Sequence, residues 1–134
     1  MKSENLLALA LRVEALSGPD MEIFYKVRDA LWPYDPATPI EDQLPALLAR
    51  QQFDRFIHAG AYLNAAETLV PGNCLTLVKE LWNPDLVTTS GYAIINRYEQ
   101  DGETKRWNGD FHAACATPAL ALCAAALRAL AWGE

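Results

Sequence analysis

The sequence predicts an α+β fold: a layered α-β-α sandwich in which helices cover a small, about three-stranded antiparallel sheet. Three observations carry this expectation. Helical periodicity runs through residues 4–70, alternating apolar stretches around an Asp-Gly dipeptide occupy 74–111, and an alanine-rich helical run fills 116–131. With 134 residues, 51% of them hydrophobic and 21% charged, the chain is expected to form one domain, 1–134, around a single core.

Residues 4–16 set Leu6, Leu9, Ala10, Val13 and Leu16 on one helical face, with Ser3 available as N-cap. Ser17-Gly18 stops this helix. Pro19 then stands at a first helical position, with Asp20 and Glu22 in the acidic first turn of a second helix. Its buried stripe is Ile23, Phe24, Val27, Ala30 and Leu31. Pro33, Pro36 and Pro39 make 32–39 an ordered loop. Over 40–60 the spacing of Leu44, Leu47, Leu48, Phe53, Phe56 and Ile57 allows a helix, limited by Pro45 and Gly60. Two further helical turns at 62–70 end in Pro71-Gly72.

Strand 74–82 places Leu75, Leu77 and Leu81 on one pleat face and Cys74, Val78 and Trp82 on the other, which predicts a strand covered on both sides. Strands 91–100 and 103–111 flank Asp101-Gly102, a dipeptide suited to the positive φ angles of a two-residue hairpin. Pairing 100 with 103 sets Arg97 opposite Arg106 and Asn96 opposite Trp107. The last helix takes Thr117 as N-cap and Pro118 at its first position, with Leu120, Cys123, Leu127 and Leu130 along one stripe. Its alanines permit close approach to the sheet, and the terminal helices are expected to help cover both sheet faces.

Composition narrows the function. Eleven basic residues against seventeen acidic ones give a net charge of −6, the wrong sign for general nucleic-acid binding. Cys74, Cys115 and Cys123 are odd in number and lack close pairing, which points to a reducing compartment rather than a disulfide framework. Glu4, Arg12 and Glu14 interrupt the N-terminal apolar residues, and no run reaches the length of a membrane span. A cytoplasmic protein without membrane contact is the expectation. No phosphate loop, dinucleotide fingerprint, nucleophile elbow or zincin motif occurs, so no cofactor is expected.

Several residue groups are candidates for chemistry. His112-x-x-Cys115, with Cys74 or His58, offers an incomplete zinc set, and the same cysteines read equally as small buried apolar residues, so no metal is expected. Cys115, His112 and Asp110 are the adjacent trio for a cysteine hydrolase, but a single strand-to-helix connection rarely converges such groups. The hairpin pairing makes Arg97 and Arg106, with Trp107, the candidate ligand-binding residues. Like charges facing across a ladder are tolerated when nearby acids screen them or when an anion bridges the guanidinium groups. Tyr92, Asn96, Tyr98 and Trp107 form a polar-aromatic set suited to a contact surface or to packing beneath a helix. The 32–36 loop, with Trp32, Pro33, Tyr34 and Pro36, reads as a docking loop or as a fold over the core edge.

Three segments together are distinctive: Leu6 to Asp20, ending in Ala15-Leu16-Ser17-Gly18-Pro19-Asp20; Leu63-Asn64-Ala65-Ala66-Glu67-Thr68-Leu69-Val70-Pro71; and the tail from Ala116 to Ala129. They resemble the small phage and prophage proteins of the phage ABA sandwich domain family. The resemblance implies the layered fold and a phage or prophage origin, and brings no catalytic residue with it. The expected function is a non-enzymatic accessory protein in the bacterial cytoplasm that binds a protein partner or itself. The alternatives are a binder of a small anionic metabolite or nucleotide, and a small cysteine-dependent hydrolase.

Overall fold

The computed structural model describes residues 2–18, 20–72, 74–83, 88–101 and 104–132, with side chains at 4–18, 20–72, 74–81, 90–97 and 109–132. Helix α1 (Lys2–Glu14) buries the stripe Leu6, Leu9, Ala10 and Val13 that its periodicity predicts. Helix α2 (Met21–Leu31) starts differently from the expectation. Asp20 is its N-cap, with extended backbone and a carboxylate that accepts the Glu22 N–H at 2.9 Å, whereas Pro19 lies outside the described residues.

Helix α3 (Ile40–His58) continues through Pro45, which forgoes only the bond its missing N–H would make to the Glu41 carbonyl. It closes at Gly60, whose φ of +74° lets its own N–H reach the Ile57 carbonyl and the Ala61 N–H reach the Phe56 carbonyl. Helix α4 (Tyr62–Glu67) is shorter than the predicted 62–70 because its last carbonyls are taken up in tight turns by Thr68, Leu69 and Val70.

Strands β1 (Cys74–Asn83), β2 (Thr88–Asp101) and β3 (Thr104–Cys115) form an antiparallel sheet in the order β1-β2-β3. Helix α5 (Pro118–Trp132) begins as expected, with Thr117 Oγ1 accepting the Leu120 N–H at 3.2 Å. The α+β class and the three-stranded meander of the sequence reading are therefore present.

The order of layers differs from an α-β-α sandwich. Helix α5 is apolar around nearly its whole circumference and lies in the middle, packed against all three strands on one side and against α1 and α4 on the other. Both terminal helices thus stand on the same side of the sheet. Ala93, Ile95, Ala113 and Cys115 are buried on the face toward α5, while Leu75, Leu77 and Leu81 on the opposite face stay 54%, 46% and 46% exposed. Strand β1 is consequently covered on one side only.

The hairpin register also differs. Asp101 pairs with Thr104, Glu99 with Arg106 and Tyr98 with Trp107, and an irregularity between Arg97 and Tyr98 then sets Arg97 opposite Gly109. Arg97 and Arg106 are not opposed, and Asn96 faces Asp110 rather than Trp107. The turn residues Gly102 and Glu103 lie outside the described residues.

Candidate functional site

The pleat sorts the sheet residues into two surfaces, and the face away from α5 is the larger candidate. The register lays it out in rows: Leu75, Asn96 and Asp110; then Leu77, Ile94 and His112; then Lys79, Tyr92 and Ala114; then Leu81 beside Ser90. Tyr92 and His112 are joined on this face, Tyr92 Oη to His112 Nδ1 at 2.7 Å. The predicted Tyr92–Asn96 half of the polar-aromatic set is therefore on the uncovered surface and not beneath a helix. The side chains of Tyr98, Trp107 and Arg106 fall outside the described ones.

Arg97 belongs to the other surface. Its guanidinium carbon sits 4.9 Å from the centre of the Trp132 ring, and Nη1 donates to the Ala129 carbonyl at 3.4 Å. This placement sets a cation against the carbonyl end of α5, where the helix dipole favours it. Nε is buried and has no hydrogen-bond partner among the described residues. Trp132 also meets Phe111 edge-on at 6.2 Å, and beside them is a hollow of about 340 Å³ lined by Leu7, Phe111, Arg128, Ala131 and Trp132. Arg128 at its rim is committed to an ion pair with Glu14 and donates to the His112 carbonyl at 3.1 Å.

The cysteine trio does not converge. Strand β3 runs on to Cys115, so Asp110 and His112 lie on the exposed face while Cys115 is buried on the face toward α5. Burial pushes the Cys115 thiol up to about 11, and burial with the neighbouring Cys115 pushes Cys123 up to about 12. Neither offers a ready thiolate. His58, the further zinc candidate, is on α3 and meets Tyr25 Oη at 3.3 Å. Among the described residues, no group of three or more His, Cys, Asp or Glu is placed to hold a metal ion. With iodoacetamide at pH 8, half-buried Cys74 is expected to alkylate first. Cys115 and Cys123 are expected to react at least tenfold more slowly until denaturant is added, as peptide mass mapping of a labelling time course will check.

A charged cluster that sequence spacing did not single out ties α2 to α3. Arg28 donates to Asp54 at 2.9 Å and to Asp29 at 3.0 Å, and Arg50 donates to Asp29 at 2.8 Å and to the Trp32 carbonyl at 2.7 Å. Partial burial raises the Asp29 carboxyl, but hydrogen bonds and charge from Arg28 and Arg50 outweigh it and hold the group below its usual range. The two cations and two anions neutralise each other, so this is a latch. The 32–39 loop is ordered as predicted. Trp32 packs edge-on to Phe53 at 5.8 Å, and Asp35 accepts from the Ala37 N–H and the Thr38 hydroxyl, which keep its carboxyl low.

No family model matches the chain, and neither a curated protein nor a solved structure does. Among the described residues no helix is long and apolar enough to cross a membrane.

Proposed function

We propose that the protein is a non-enzymatic interaction module of a phage or prophage, acting in the bacterial cytoplasm by docking a protein on its uncovered sheet face. The observation that carries this reading is the group of Leu75, Leu77 and Leu81 beside Ile94 and Tyr92, on a surface that no helix among the described residues covers. An apolar cluster of this kind, bordered by Asp110 and with Lys79 set between Leu77 and Leu81, has the make-up of a contact surface with a polar component. The phage setting rests on the resemblance of the first, fourth and last helical segments. Immobilised protein in a host lysate is expected to retain a partner or further copies of itself, with retention reduced at least tenfold by Leu77→Lys. Equal retention by the variant removes the reading.

A second reading, a binder of a small anion, draws on the buried Arg97 Nε, which has no partner among the described residues, and on the hollow beside Trp132. It transfers the aromatic role from Trp107 to Trp132 and no longer needs Arg106 opposite Arg97. Retained ligand mass in a native mass spectrum, lost in Arg97→Met, is its signature.

A further inference from the structure

Resting on the reading of the open sheet face as a docking surface, we infer that its occupant is a second copy of this chain, stacked face to face across a twofold axis near Ile94.

Charge and size support the same occupant. The chain carries a net charge of −6, yet among the described side chains of this face one lysine, Lys79, balances one acid, Asp110, so over this area two copies meet without a like-charge patch. The acidic Glu80 of β1 points to the other side of the pleat. A partner of strong charge would find little on this surface to recognise, whereas an equally neutral, apolar face is complementary to it.

The face extends about 33 Å along the ten paired residues of β1 and about 14 Å across three strands. Two such faces packed at the usual sheet separation of about 10 Å remove on the order of 1,000 Å² from water, the lower bound of a specific interface. A dimer of that size is weak, with a dissociation constant in the micromolar range, about what an interface without large buried anchors supports.

Pairing of free β1 edges is the other self-contact, and in the symmetric antiparallel registers centred on Lys79 or on Glu80 it sets like charges against each other. Face stacking brings no such clash, because Ile94, in the middle row of the middle strand, comes to lie near its own copy.

Sedimentation velocity and native mass spectrometry across a concentration series will read the inference on the whole chain. The expected result is a concentration-dependent dimer that Ile94→Lys and Ile94→Glu each weaken at least tenfold. An equimolar mixture of the two variants is expected to recover dimerisation, because opposite charges then meet at the axis. The milder Leu77→Ser, at an exposed position, gives the same readout if either Ile94 variant fails to fold. A monomer at every concentration overturns the second-copy inference, as does a dimer indifferent to all of these substitutions. If Leu77→Lys nonetheless abolishes retention of a host protein, the docking face stands and only its occupant falls. If retention is also unchanged, both fall.

Discussion

Gly91→Ala is expected to destabilise the protein by about 3 kcal/mol or more, at the upper end of overpacking costs. Gly91 lies on β2, on the face toward α5, where an added Cβ runs into the Thr117 carbonyl group and the Pro118 nitrogen. These are backbone atoms. Pro118 has a fixed φ at the first position of α5, and Thr117 caps the helix through Leu120, so the contact is relieved only by lifting the helix start off the sheet. Propensity alone predicts the opposite sign, since glycine inside a strand costs conformational entropy that alanine recovers. The control is Gly72→Ala, where nothing lies within 4 Å of the new atom and the change is expected to stay within about 0.5 kcal/mol. Urea unfolding of both variants decides. A Gly91→Ala protein within 1 kcal/mol of the parent, or a melting temperature lowered by much less than about 10 °C, shows that α5 does not seat on Gly91 as described.

That close approach explains which parts of the fold were legible in the chain. The Thr117-Pro118 start of α5 and the apolar stripes of α1 and α2 are local signals, set by capping chemistry and helical spacing. Leu6, Leu9, Ala10 and Val13, and Ile23, Phe24 and Val27, are buried as expected, while Leu16, beyond the end of α1, and Ala30 and Leu31 are only partly buried. The order of layers is a global property. Alternation in β1 reads the same whether a leucine meets a helix or a second molecule, because both environments favour an apolar side chain. The informative segment was α5 itself. A helix with one charged residue in fifteen is buried all round, so it must separate the sheet from the remaining helices, and none is left to reach the far face.

The candidate site failed in the sequence for a related reason. The Asp-Gly dipeptide marks a hairpin, but the ladder closes at Asp101 and Thr104 rather than at Gln100 and Glu103, which already sets Arg106 opposite Glu99, and the irregularity between Arg97 and Tyr98 shifts every partner beyond it by one more. Arg97 leaves the predicted arginine pair and joins Trp132, more than thirty positions away in sequence. Likewise, extending β3 from 111 to Cys115 turns the spacing of His112 and Cys115 from neighbours at a loop into residues on opposite sheet faces. Parity in a strand is unforgiving: a boundary moved a few residues inverts the chemical conclusion.

Phe24→Ala is expected to cost about 3–5 kcal/mol, the range for deleting a buried phenylalanine, and to concentrate its damage in one part of the molecule. Phe24 is fully buried in α2, with its ring 6.2 Å from Phe53 of α3 and 5.3 Å from Tyr62 of α4. Among the described residues the backbone of α2 approaches α1 and α3, and that of α3 approaches α2 and α4, while neither comes as close to the sheet or to α5. The aromatic cluster and the Arg28–Asp54 and Arg50–Asp29 pairs seat these two helices on each other, alongside the buried Ile23, Val27 and Ile57. Ion pairs at this exposure contribute about 1 kcal/mol or less each, so the ring contacts decide. Hydrogen exchange of Phe24→Ala is expected to show protection lost first across α2 and α3, with β2 and α5 still protected, as separable units of a small domain behave. Uniform loss across all elements makes the domain a single cooperative unit and the α2–α3 pair an integral part of its core. An Arg28→Ala variant with the larger effect reverses the ranking of latch and ring cluster.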